Sequence, residues 1–225
     1  MRAARFFGAT KKGIFALKNY YEHRLPCITA LHPEKRPNLA FPHPTHYISL
    51  DDRMSHAFKY LSQPDKNKLV FYGITGNEKI CIKFVRRYSK EAHMTCSKLG
   101  FAPALRGFQE IPGQWYMVVM DYIGDEYHGL DESPLKASFE PAIRSKVSLL
   151  HQEGFVHGDI RTTNVMVEKI GVLKVMLLDF DWAGVIGQVT YPMNVNNETV
   201  KRPWGAHDGE LIKAEHDIAM IDFMF

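Results

Sequence analysis

From residue 68 to residue 85 the chain reads "KLVFYGITGNEKICIKFV", two runs of alternating apolar and polar residues on either side of "GNE". That period belongs to half-buried strands joined at a Gly-Asn turn, and it predicts a β-hairpin from Lys68 to Val85. Next, "SKEAHMTCSKLG" predicts a short helix with Ser89 as N-cap, Ala92, Cys96 and Leu99 on one face, and Gly100 as its stop. Glu91 falls in the first turn, where an acid favours the helix dipole. The following residues read as a loop up to "WYMVVMDYIG", an apolar strand with a polar exit. The stretch "DEYHGLDESPLKAS" looks poorly ordered. After it, "AIRSKVSLLHQEGF" predicts a helix ending at Gly154, and "NVMV" alternates like a strand. A polar cluster, "HGDIRTTN", is thereby confined to a short loop between helix and strand, a place where side chains for chemistry are held rigidly.

The N-terminal part follows other rules. Ile14, Leu17 and Tyr21 recur at helical spacing from Thr10 onward, which predicts an amphipathic helix packed on the main body. The same region carries Arg2, Arg5, Lys11, Lys12 and Lys18 with no acid before Glu22, the charge pattern of an organelle transit peptide. Residues 32–47, "HPEKRPNLAFPHPTHY", hold four prolines and read as a linker, because proline lacks the N–H that regular elements need. Residues 1–50 are therefore expected to form a helix and linker ahead of the main body.

Composition narrows the function classes. A chain of 225 residues, 45% hydrophobic and 24% charged, can bury a core as an ordinary soluble protein. A net charge of +3 with scattered basic residues argues against a nucleic-acid partner. Apolar runs such as "YMVVM" fall far short of the roughly 20 residues that span a bilayer, so no membrane partner is expected. Cys27, Cys81 and Cys96 are odd in number and not closely paired, which points away from a disulfide framework or zinc knuckle and toward a reducing, intracellular location. Cytoplasm and nucleus both fit, and mitochondria would fit a transit peptide.

The chemistry-bearing residues come in a definite order. Lys83 sits in a strand, Glu91 in a helix, an apolar strand follows, then His157-Gly158-Asp159 with Asn164 five residues after the Asp, then Asp179-Phe180 twenty residues after Asp159. A strand lysine between apolar neighbours ordinarily points to solvent, and Arg161 could serve only an ion pair. The combination, however, resembles the protein kinase-like superfamily: "ICIK" for the strand lysine, "YMVVMDYI" for the last small-lobe strand and hinge, "HGDIRTTN" for the catalytic loop and "LLDFDWAG" for the metal-binding segment. The "RRYSKEAH" helix entry and the downstream "YP" are also similar to fungal kinase-like proteins, including those found with crinkler-type effectors. "HGD" and the acid-rich metal segment are similar to small-molecule phosphotransferases acting on aminoglycosides or choline.

The resemblance implies an α+β, bilobal protein kinase-like fold, with a small antiparallel-sheet N-lobe over residues 51–122 and a reduced helical C-lobe over 123–225. It implies ATP and Mg²⁺ as cofactors and a protein hydroxyl as acceptor, with a pseudokinase or a small-molecule kinase as rivals. Asp159 would be the base, Asn164, Asp179 and Asp181 the metal ligands, and Lys83, tethered by Glu91, the holder of the other phosphate edge. Arg161 would meet the transferred phosphate. Around adenine the resemblance places Met120 as gatekeeper, Asp121 and Ile123 as hinge contacts, Cys81 as ceiling and Met166 as floor. His157 and Phe180 would stack structurally, and Asp217 would anchor the catalytic loop from below.

Three departures stand out. "KYLSQPDKNK" takes the place of a glycine-rich loop, Asp181 replaces the glycine of Asp-Phe-Gly, and Gly158 stands where many regulated kinases carry arginine, so control by activation-loop phosphorylation is not expected. Phe225 follows closely on the Asp217 helix, the pattern of a minimal or truncated C-lobe.

Overall fold

A computed structural model of the chain describes residues 2–23, 44–171 and 173–225. It divides into two compact units, Met1–His43 and Pro44–Phe225, a division ahead of the expected boundary at residue 50. The first unit contains helix α1 (Arg2–His23). On it Ile14, Leu17 and Tyr21 stand exposed, at 61%, 57% and 62%. Most of the proline-rich stretch, and Cys27, lie outside the described residues. Among the described residues no helix is long and apolar enough to cross a membrane.

In the second unit, β1 (His46–Ile48) pairs with β2 (Ser55–Ala57). A five-stranded antiparallel sheet follows in the order β3-β4-β5-β7-β6, formed by β3 (Lys59–Ser62), β4 (Val70–Thr75), β5 (Glu78–Val85), β6 (Leu105–Ile111) and β7 (Trp115–Asp121). The expected hairpin is β4 and β5. Thr75 pairs with Glu78, and Gly76 takes the positive φ of 56° that so tight a turn requires. Strand period decides what each face of β5 meets: Ile80, Ile82 and Phe84 are buried, while Cys81 and Lys83 line a cavity on the other side. The buried side continues as a ladder of rings, Phe58, Tyr60, Phe71 and Phe84, with successive centroids 5.1, 5.3 and 5.9 Å apart.

Two stretches differ from expectation. The residues after Gly100, read as loop, include β6, whose pairing with β7 shifts register between Leu105 and Gly107. That bulge and the charges at Arg106 and Glu110 break the simple alternation. The stretch read as poorly ordered includes β8 (Tyr127–Gly129), which pairs with β10 (Val165–Glu168).

Helix α2 (Lys90–Lys98) starts where expected, with the Ser89 side chain accepting from the Ala92 N–H. Ala92 and Cys96 are buried, but Leu99 is 38% exposed, and the third buried residue is His93. Helix α3 (Glu140–Gln152) buries Ile143, Val147 and Leu150. Its end leads through β9 (Phe155–Val156) into the polar loop and then β10, which pairs with β11 (Val175–Leu177). β12 (Gly184–Val185) returns to β9, and α4 (Ala214–Asp222) closes the unit. One core joins α2 residues Ala92 and Cys96 to α3, β10, β11 and α4, so the lobe that carries Lys83 and the lobe that carries Asp159 share packing.

Candidate active site

The loop after β9 is held from beneath by Asp217 of α4. Its carboxylate is fully buried and accepts from the His157 N–H and the Gly158 N–H, each at 2.8 Å, and from His151 Nε2 at 3.0 Å. Burying a carboxylate is tolerable only with such partners. Gly158 has φ +82°, and a Cβ there would lie 2.8 Å from Ile212 Cδ1 and 3.2 Å from the Trp182 carbonyl oxygen. A residue with a side chain there is strained at that φ and requires Ile212 to move. His157 donates from Nε2 to the Leu178 carbonyl at 2.9 Å, and its Nδ1 accepts from the Asp159 N–H at 3.3 Å. These contacts make His157 a bracket for the loop.

Asp159 is 6% exposed, and both of its oxygens are engaged. Asn164 Nδ2 donates to its backbone carbonyl at 2.9 Å and to Oδ2 at 3.0 Å, and Arg161 Nε lies 3.0 Å from the same Oδ2. Arg202, which sequence reasoning did not single out, donates from Nη2 to Oδ1 at 2.9 Å. Asn164 turns its amide nitrogen toward Asp159, and its Oδ1, which accepts from the Thr163 hydroxyl at 3.4 Å, is the atom of this side chain that could also ligate a cation.

Lys83 was expected to pair with Glu91, and the structure corrects this. Glu91 is exposed in the first turn of α2. Lys83, with 12% of its side chain exposed, donates to Asp179 Oδ1 and Asp181 Oδ1, each at 2.6 Å. The helix face that turns inward offers His93 where a glutamate was expected. His93 stacks on Phe180 at 4.7 Å with planes 6° apart, and the tilted His157 ring lies 5.2 Å from Phe180 on another side. The His93 Nε2–H donates to the Pro103 carbonyl at 2.9 Å, and Nδ1 accepts from the Tyr88 hydroxyl at 2.7 Å. Burial above all lowers the His93 pKa to about 4, so the ring is neutral and cannot replace a carboxylate as partner for Lys83.

Asp179 holds a positive φ of 69°. For a residue other than glycine this is strained backbone, of the kind concentrated at functional sites. Burial pushes the carboxyls of both Asp179 and Asp181 upward. At Asp179 the Lys83 ammonium outweighs burial and holds it below the usual range, whereas at Asp181 burial and the Asp179 charge prevail and hold it above. Burial also opposes the ammonium of Lys83, but the two carboxylates raise its pKa above the ordinary lysine value.

These groups border a cavity of about 520 Å³ between sheet and catalytic loop, lined among others by Cys81, Met120, Ile123 and Met166 together with Lys83, Asn164, Asp179 and Asp181. Asp121 lines it too. Its N–H is taken by the Ala104 carbonyl at 3.0 Å, and the Ile123 carbonyl closes a turn by accepting from Glu126 and Tyr127 at 3.1 and 3.0 Å. The turn between β3 and β4 also reaches the cavity, through Pro64, Asp65 and Lys68. That turn is tied by Gln63 Nε2 donating to the Lys68 carbonyl and by the Asp65 side chain accepting from the Asn67 N–H. Lys68 was read only as the start of a strand, since nothing in its local pattern shows that it comes to the cavity. The all-oxygen set of Asn164, Asp179 and Asp181 suits a hard divalent cation. Lys83 Nζ already bridges two of its members, so the set fits positive charge.

No protein-family model matches the chain, and no curated protein is similar to it by sequence. Solved structures are similar in fold. Against the Cydia pomonella granulovirus kinase PK-1 the TM-score is 0.50 at 17% identity, over 61% of this chain and 55% of that one. Against vaccinia related kinase 3 it is 0.56 at 18% identity, over 82% of this chain and 67% of that one. The chain thus spans about half the length of the viral kinase. With the sheet order, the shared core and the loop anchored by Asp217, these likenesses identify the fold as a two-lobed, protein kinase-like one.

Proposed function

We propose that the chain is an ATP- and Mg²⁺-dependent phosphotransferase that moves the γ-phosphoryl group of ATP to a hydroxyl, with a protein serine or threonine as acceptor. The observation that carries this reading is that Lys83, Asn164, Asp179 and Asp181 line one largely apolar cavity, with Lys83 bonded to both aspartates and Asp159 hydrogen-bonded to Asn164. Adenine would lie against Cys81, Met120 and Met166, with the Asp121 carbonyl and the Ile123 N–H as hinge partners. Asn164, Asp179 and Asp181 would hold Mg²⁺, which neutralises phosphate charge when bound. Lys83 would exchange one carboxylate contact for phosphate oxygens, and Lys68 offers a second cation where a glycine-rich loop is missing. Asp159 would orient the acceptor hydroxyl and take its proton, while Arg161 attends the transferred group.

A small-molecule acceptor is the second reading, favoured by Asp181 standing as close to Lys83 as Asp179 does. The finer likeness to fungal, crinkler-associated kinase-like proteins rests on the sequence motifs, and an odd cysteine count supports an intracellular setting. The test is calorimetric titration of Mg²⁺-ATP with a radiolabel transfer assay. Asp159→Asn is expected to lower transfer by about 10² or more while nucleotide binding changes little. Asp179→Ala is expected to abolish the Mg²⁺-dependent part of binding together with transfer. A parent protein that binds no nucleotide, or binds it equally without metal and transfers nothing, would make the chain a binding module instead.

A further inference from the structure

Arg202 lies 43 residues beyond Asp159, in a segment with no regular strand or helix. That segment is nonetheless closed at its base. The Ile212 N–H donates to the Val189 carbonyl and the Tyr191 N–H to the Glu210 carbonyl, each at 2.9 Å, and Thr190 bridges Leu211. Inside it, the Asp208 carboxylate accepts from the Asn194 and Val195 N–H groups at 2.8 Å. From this framed loop one guanidinium reaches Asp159. Arg202 has 4% of its side chain exposed, lies 4.6 Å over the Trp182 ring and donates from Nε to the Asn196 carbonyl at 3.1 Å. Its Nη1 is buried with no hydrogen-bond partner.

A surface ion pair would leave such a nitrogen in water, and a buried arginine serving only packing would have it satisfied, because an unmet buried donor is costly. Arg202 fits neither description. Trp182 directly follows Asp181, so the stacked guanidinium spans from the metal-side segment to the base. Asn164 donates to Oδ2 and Arg202 to Oδ1, with Arg161 Nε at ion-pair distance from Oδ2 but not hydrogen-bonded to it, so the carboxylate of Asp159 is held by two separate stretches of chain.

We propose that Arg202 is a positioning residue for phosphoryl transfer, fixing Asp159 from outside the catalytic loop and coupling the 186–213 loop to that loop. The catalytic part of this proposal rests on Asp159 being the base. The coupling part does not.

Full-length parent, Arg202→Gln and Arg202→Lys proteins are compared by three measurements: calorimetric binding of Mg²⁺-ATP, transfer to dephosphorylated casein, and amide hydrogen exchange. Arg202→Gln is expected to bind Mg²⁺-ATP within about twofold of the parent and keep its KM for ATP, while kcat falls about 10²-fold, the scale of a misplaced catalytic group. Arg202→Lys keeps the charge and is expected to recover about tenfold of that loss; if the Gln variant does not fold, an approximately tenfold fall in the Lys variant is the expected result. Exchange in Arg202→Gln should quicken in residues 156–164 as well as in 189–212. Unchanged kcat, or quickening confined to 189–212, overturns the proposal. If the parent itself transfers no phosphate and hydrolyses no ATP, the phosphotransfer reading fails, and joint quickening of both stretches still supports the coupling.

Discussion

At the scale of single residues, the site is set by which partners tertiary packing delivers, and local sequence carries only part of that information. Asp159, Asn164, Asp179 and Asp181 are legible because their spacing is short and their types are chemically distinctive. The partner of Lys83 is not, since the choice between Glu91 and the two aspartates depends on how α2 turns about its axis. Arg202 is illegible for another reason: its segment has no period to fix where any side chain points. Gly158 is the loop residue whose positive φ and near neighbours disfavour any side chain. Gly158→Ala should destabilise the fold by about 1–3 kcal/mol, because alanine there is strained at φ +82° and its Cβ meets Ile212 and the Trp182 carbonyl. Denaturant unfolding of the variant checks this, and a change below about 0.5 kcal/mol would mean that the loop can shift at little cost.

Among the elements, the β4–β5 hairpin, α2 and α3 could be read from period and caps, whereas β6 and β8 could not. β6 carries a bulge and two charged residues, and β8 is three residues long, too short to show a period. In α2 the spacing marks Ala92 and Cys96 as inward, but not His93 between them, because histidine looks like solvent-facing sequence. His93 now gives the helix a pH signature. Its pKa is lowered from 6.5 to about 4, chiefly by burial, so between those values the unfolded chain binds a proton that the folded chain refuses. Stability from this group is therefore complete above about pH 6.5 and is lost progressively as the pH falls toward 4. The shift corresponds to about 3 kcal/mol at most. His93→Gln should be less stable than the parent at pH 7 yet lose less stability between pH 6.5 and 4.5, as read by thermal melts across that range. Parallel melting curves for the two proteins over the whole range would contradict the assignment.

For the whole molecule, the question is which part of the chain holds the fold together. All the residues of the buried apolar core among those described lie between Tyr47 and Ile221, and the unit that contains them begins at Pro44, whose carbonyl accepts from the Tyr60 hydroxyl at 2.8 Å. A cut just before Pro44 keeps that bond, the β1–β2 pair and every core cluster. Helix α1, by contrast, exposes Phe6, Phe7, Ile14, Phe15 and Leu17 at 57% or more and contains Gly8 and Gly13, which weaken a helix interior. Hydrophobic stabilisation scales with apolar area removed from water, and every buried apolar residue among those described belongs to the second unit. A protein comprising residues 44–225 should therefore melt within about 4 °C of the full chain, less than or near the shift that 1 kcal/mol produces in a chain of this size. It should also bind Mg²⁺-ATP with the same affinity within about twofold, because the residues assigned to the nucleotide and metal all lie after Pro44. Calorimetric melting and titration of the two proteins decide the matter, and a fall of 10 °C or more on removing residues 1–43 would show that the core from Tyr47 to Ile221 is not sufficient by itself.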